Sequence, residues 1–111
     1  MGLRQDRVAD QIKDAISAQL QGGVMNDPRL QAVSITYAKV SPDLQVATIY
    51  FRCFDPAVSL DDVRASLTGS SGFFRKCLAS RLKIRRVPQL RFFFDESIET
   101  ASRIEALLSQ I

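Results

Sequence analysis

The sequence predicts an α+β domain, and three observations carry that prediction. Segments whose apolar residues recur every three to four positions are interspersed with segments in which they recur every two. Short connections rich in Pro, Gly, Ser and Asp join them. No repeat, low-complexity tract or linker divides the 111 residues, so a single domain is expected over residues 1–111. With 46% apolar residues, the chain can build a core without metal or disulfide staples.

The elements follow in order. Residues 3–21 form an amphipathic helix, with Val8, Ile12, Ile16 and Leu20 on one stripe and Gly22-Gly23 as its stop. Asp27-Pro28-Arg29 is a turn. From Ala32 to Val40, Val33, Ile35 and Tyr37 alternate with Ser34 and Thr36, the pattern of a strand. Ser41-Pro42-Asp43 connects it tightly to a second β-rich run, residues 44–54, and so favours an antiparallel hairpin. Pro56 ends that strand. Ser59 and Asp62 form a capping box, with Asp in place of Glu, that opens a helix near residue 60. The adjacent Asp61 and Asp62 belong to the same cap and complement the helix dipole, which explains them better than a catalytic pair would.

Helical spacing resumes after Gly72. Phe73, Phe74, Cys77, Leu78 and Leu82 occupy one half of the wheel; Arg75, Lys76, Ala79 and Lys83 occupy the other. Arg81 falls in the apolar half, so either its stem snorkels or the helix ends there. Beyond Pro88, residues 90–95 form a third strand with Leu90, Phe92 and Phe94 on one face and Arg91 and Phe93 on the other. The phenylalanines are read as core in preference to base-stacking groups. Residues 97–111 read as a final helix carrying Ile98, Ala101, Ile104 or Glu105, and Leu108 at helical spacing.

Composition narrows the chemistry. The chain has no histidine, which removes Ser-His-Asp and Cys-His nucleophile systems and histidine metal sites. Cys53 and Cys77 are read as small hydrophobes in a reduced, cytoplasmic protein, and no secretory or membrane-spanning stretch is present. The aspartates Asp27, Asp43, Asp55 and Asp95 lack metal-ligand spacing, so neither a cofactor nor an enzymatic activity is expected. Net charge is +3, but it is unevenly placed. Between Val63 and Phe94 lie eight cations and no carboxylate, leaving seven cations to face all twelve carboxylates elsewhere. Such a block is the footprint of a polyanion binder.

The junction Gly69-Ser70-Ser71-Gly72 joins two helices inside that block. With the order α-β-β-α-α-β-α, a glycine-containing junction of this kind points to a KH-like RNA-binding domain, whose GXXG loop clamps a nucleic-acid backbone. Glycines allow close backbone approach, and amides at a helix N-terminus attract phosphate. Neither central residue is basic, however, and the same four residues serve as a plain helix breaker.

Nearly the whole chain resembles one family, ribosome-binding factor A. The likeness runs from Arg4, Arg7, Val8 and Ala9 through Asp27-Pro28-Arg29, VSIT at 33–36 and SPDLQVATIYF at 41–51. It continues with GFFRKCL, LKIRRVPQLRFFFD and the SIE…RI of the last segment. The resemblance implies a type II KH-like fold, a three-stranded sheet with helices on one face and a helix-kink-helix at Gly69–Gly72. It also implies binding near the neck of immature 30S ribosomal subunits and promotion of 16S rRNA maturation, including its 5′ end, chiefly at low temperature. The family's junction reads Ala-x-Gly and forms a kink; here Ser70 stands at the alanine position. The kink is therefore assigned to Ser70, Ser71 and Gly72. The Ser70 hydroxyl is expected to cap the following helix. Gly72 is expected to be the sensitive glycine if its φ is positive, whereas Gly69 should tolerate alanine.

Arg75, Lys76, Lys83, Arg85, Arg86 and Arg91, with Arg4 and Arg7 from the first helix, are the expected RNA-binding residues. Gln89 replaces an acid usual in the family, and Arg86 and Arg91 add charge. The chain ends at Ile111 without the basic tail of many members, which should put more electrostatic work on residues 75–91. A non-catalytic, monomeric assembly factor is the leading reading. A small-molecule-binding regulatory domain is the alternative and would need a concave apolar pocket with convergent polar groups. A metal-dependent nuclease is the third.

Overall fold

A computed structural model describes residues 2–22, 25, 27–82, 84 and 86–96. Its elements are α1 (Gly2–Gln21), a 3-10 turn (Pro28–Leu30), β1 (Val33–Val40), β2 (Val46–Cys53), α2 (Leu60–Gly69), α3 (Ser71–Arg81) and β3 (Gln89–Phe94). The final helix expected at 97–111 lies outside the described residues.

β1 and β2 form the expected antiparallel hairpin, with Val33 opposite Cys53 and Val40 opposite Ala47. Its connection is built on one hydroxyl. Ser41 Oγ donates to Asp43 Oδ1 at 2.7 Å and accepts from the amides of Gln45 and Val46 at 3.2 and 3.0 Å. Leu44 closes the turn with φ at 60°, a left-handed conformation that costs a branched residue roughly 1–2 kcal/mol. A bulge between Ile35 and Tyr37 shifts the register by one residue. Without it, Ala38 and Val40 would not share the buried face with Ile35. β3 joins the far side of β2 in parallel, which requires the α2–α3 crossover.

The helices pack on one face of this sheet, α1 against β1 and α2 against β3, with α3 touching both helices. The stripe expected on α1 is buried at Val8, Ile12 and Ile16, and Ala9 and Ala15 widen it; Leu20 sits at its margin. Phe74 and Leu78 of α3 join Ile49, Phe51 and Phe92 of the sheet in one buried core, and the rings of Phe74 and Phe92 lie 5.9 Å apart. Phe73 and Cys77, assigned to the same half-wheel, are more exposed, because α3 buries a narrower stripe. The helix ends at Arg81, so that residue is exposed in the last turn without crossing the core.

α2 begins as its sequence dictates: Ser59 Oγ accepts the Asp62 amide at 3.0 Å. Its end is less expected. Ser70 alone leaves helical geometry, at φ −92° and ψ 4°, while its amide still bonds the carbonyls of Ser66 and Leu67 at 3.0 and 3.1 Å. The Phe74 amide then returns to the Ser70 carbonyl at 3.0 Å. The junction is thus a kink one residue wide. Two details differ from expectation. The Ser70 hydroxyl makes no capping hydrogen bond to α3, and neither Gly69 nor Gly72 has a positive φ. Both glycines lie within helical turns, where a Cβ would meet no atom within 4 Å.

Candidate nucleic-acid interface

The structure distributes the expected cations over several surfaces. On α3, burying Phe74 and Leu78 turns Arg75, Lys76 and Ala79 outward into solvent. Lys76 stands exposed there. Arg75 is drawn back, because its Nη2 donates to the Val87 carbonyl at 3.3 Å and ties α3 to the segment leading into β3. Arg75 therefore has a structural contact as well as an exposed charge.

Arg4 and Arg86, 82 positions apart in the chain, line one concavity of about 190 Å³. Val8, Leu44, Ile84 and Pro88 give it an apolar floor, and Asp43 and Gln45 supply polar edges. The Ser41 hydroxyl, followed by the Gln45 amide, holds the Asp43 carboxyl below its ordinary range. It is therefore ionised at neutral pH and offsets one of the two guanidinium charges. The arrangement can take a phosphate beside a small apolar group. The long-range proximity of Arg4 and Arg86 is invisible to any local sequence pattern.

Arg91 belongs to neither group. It is exposed on the face of the sheet opposite the helices, in register with Thr48. Arg7 is exposed on α1. Lys83 and Arg85 lie outside the described residues. The kink residues Ser70 and Ser71 are half-buried and Gly72 is exposed at the start of α3, whose first turn contains no carboxylate.

One constellation was legible in the sequence only as a turn. Asp27 caps the 3-10 turn by accepting the Arg29 amide at 3.0 Å, and it pairs with the Arg29 guanidinium at 2.8 Å. It also accepts the hydroxyl of Ser66 on α2, a buried polar side chain. The Arg29 side chain, the Ser66 hydroxyl and the Arg29 amide together hold the Asp27 carboxyl far below the usual carboxylate range. This clamp fastens the segment between α1 and β1 onto α2, across 39 positions. Among the described residues, no three His, Cys, Asp or Glu side chains gather where they could hold a metal ion. No described helix is long and apolar enough to cross a membrane.

A three-stranded mixed sheet covered on one face by α1 and a kinked α2–α3 pair defines a type II KH-like domain. The sequence model described as Ribosome-binding factor A matches residues 4–108. Ribosome-binding factor A of Desulfatibacillum aliphaticivorans is 39% identical over 108 residues, covering 97% of this chain and 87% of that protein. This chain belongs to the ribosome-binding factor A family. The crystal structure of the Thermus thermophilus member superposes with a TM-score of 0.71 at 25% identity, covering 80% of this chain and 93% of that one. A Thermus thermophilus homology model fitted into a cryo-EM map of that protein's 30S complex gives 0.68 at 24% identity, covering 83% and 96%.

Proposed function

We propose that this chain is a non-catalytic assembly factor that binds immature 30S ribosomal subunits and promotes maturation of their 16S rRNA, including the 5′ end. Family membership over nearly the full length is the observation that carries the reading. The exposed Lys76, the Arg4–Arg86 concavity and the exposed Arg7 offer phosphate contacts. Affinity comes from those contacts, and specificity from the shape of a folded rRNA junction. A preference for the immature RNA conformation biases folding without making or breaking bonds. At about 190 Å³, the Arg4–Arg86 concavity is smaller than the roughly 300–1,000 Å³ typical of small-molecule sites. The larger depressions beside Tyr50, about 500 and 490 Å³, are shallow and open where a metabolite site would enclose its ligand.

Co-sedimentation with immature and mature small subunits across a salt series tests it. The expected outcome is tighter binding to immature subunits. Arg4→Gln, Lys76→Gln and Arg86→Gln should each lower the slope of log affinity against log salt, by roughly 0.7–0.9 per lost phosphate contact. Equal affinity for both subunit states would refute the mechanism. An unchanged slope in the folded triple variant would refute the assignment of these cations.

A further inference from the structure

The sheet face opposite the helices carries a row of rings. Tyr37, Tyr50 and Phe93 are register partners across β1, β2 and β3. Tyr37 and Tyr50 stack with centroids 5.9 Å apart, and Tyr50 lies 6.4 Å from Phe93. Phe51 and Phe92 on the core side of the sheet are buried, whereas Tyr37 is 48% exposed and Phe93 37% exposed. One end of the row is occupied, since Arg64 of α2 lies 4.7 Å over the Phe93 ring. The Tyr37 end is open.

A second row runs parallel to the rings, two residues along each strand and so roughly 7 Å away. It consists of Lys39, Thr48 and Arg91, with both cations exposed. Two shallow depressions of about 500 and 490 Å³ flank Tyr50, and Lys39 and Tyr50 line both. Among the described residues, a carboxylate on this face, Asp95, accepts the Thr36 hydroxyl at the other side of the rings. Asp6 and Asp10 of α1 lie beyond the β1 edge, beside Tyr37, where Lys13 offsets one of the two carboxylates. A polyanion is therefore steered along the Lys39–Arg91 row and away from that edge.

We propose that this open sheet face binds single-stranded RNA, with unpaired bases packed against Tyr37 and Tyr50 and the phosphate chain following Lys39, Thr48 and Arg91. An aromatic row beside a cationic row matches the alternation of base and phosphate in a single strand. A duplex keeps its base faces stacked and cannot use the rings. Three strands span roughly 10 Å, enough for two or three bases. The surface is distinct from the cations of α3 and of the Arg4–Arg86 concavity. It rests on the assembly-factor reading only in the choice of RNA as the nucleic acid.

The test is fluorescence anisotropy with a labelled, unstructured RNA octamer and an RNA hairpin of equal charge, using the full chain. The parent should prefer the octamer. Tyr37→Leu/Tyr50→Leu should weaken that binding roughly tenfold or more, while Tyr37→Phe/Tyr50→Phe, which keeps the π-faces, should bind like the parent. Lys39→Gln/Arg91→Gln, which does not touch the rings, should lower the salt slope by about 0.7 per contact and carries the test if the leucine pair fails to fold. Octamer binding unaffected by both the leucine and the glutamine pairs overturns the proposal. So does a preference for the hairpin, or a Tyr37-dependent dimer that buries the face. Subunit binding without octamer binding defeats this inference alone. Tyr37-dependent octamer binding without subunit binding defeats the assembly-factor reading and leaves this one standing.

Discussion

Two short motifs of this chain, Asp27-Pro28-Arg29 and Gly69-Ser70-Ser71-Gly72, exchange roles between sequence and structure. The glycine motif carries the stronger functional signature in sequence, yet in the fold it is almost continuous helix broken at Ser70. The aspartate motif reads as an ordinary turn, yet its carboxylate joins Arg29 and the buried Ser66 in a long-range clamp. Glycine reports what a backbone is permitted to do, whereas a buried hydrogen bond reports what the fold requires. Only the second shows in tertiary contacts.

The largest effect that could break this comparison is expected at Asp27. Asp27→Ala removes the acceptor of the buried Ser66 hydroxyl and the partner of Arg29 together, and buried polar groups left unpaired are costly. Its melting temperature should fall by several degrees, more than for Ser59→Ala or for alanine at either glycine of the junction. In the double-mutant cycle with Ser66→Ala, the two losses should be less than additive, because they share one bond. The same clamp sets an acid limit. The folded pKa of Asp27 is depressed below its ordinary value of 3.8, so its stabilisation is fully present above that value. It is lost as pH falls from about 4 through the folded pKa. Acid titration of the parent and of Asp27→Asn should therefore show the parent's advantage shrinking below pH 4. Parallel acid-unfolding curves would remove the clamp from the account.

Local pattern made most of the fold legible. The period of two located β1, β2 and β3 and separated Leu90 and Phe92 from Phe93, because a buried face leaves its alternation in the sequence. Reading every phenylalanine of β3 as core failed at Phe93, which the open face leaves exposed. Capping chemistry located the start of α2, since Ser59 and Asp62 act within one helical turn. The candidate site was only partly legible. A run of cations shows charge density but not direction. The fold turns Lys76 outward from α3, brings Arg86 to Arg4, and places Arg91 on the opposite side of the sheet. The bulge beside Thr36 was also hidden. It leaves the alternation of Val33, Ile35 and Tyr37 intact, then puts Tyr37 on the open face and Ala38 in the core. Reading Tyr37 inward with Ile35 was the natural extrapolation of period two, and one inserted residue reverses it.

A middle-sized effect calibrates the comparison. Ser59→Ala removes a cap that is local, exposed and predicted by its own residues, and it should cost about 1 kcal/mol by chemical denaturation. Asp27→Ala should exceed this value, because its loss is tertiary. If the two are equal, the long-range bond to Ser66 adds nothing to an ordinary capping turn, and the contrast between local and tertiary motifs collapses.

The smallest effects are expected at the glycines, and they decide what the junction is for. A positive φ at Gly72 would make alanine costly, but neither Gly69 nor Gly72 has one and a Cβ at each enters open space. Gly69→Ala and Gly72→Ala should therefore be neutral or stabilise the fold by up to about 1 kcal/mol, as alanine replaces glycine in helical geometry. Stability can then be separated from binding. If both variants are stable and bind immature small subunits like the parent, the junction serves only to redirect the chain from α2 into α3. If Gly72→Ala is stable but binds more weakly, the missing Cβ matters to the RNA, and the start of α3 approaches a phosphate closely. A loss of stability in either variant would contradict the geometry of the kink itself. We expect the first outcome, because a single non-helical residue at Ser70 already accounts for the change in direction.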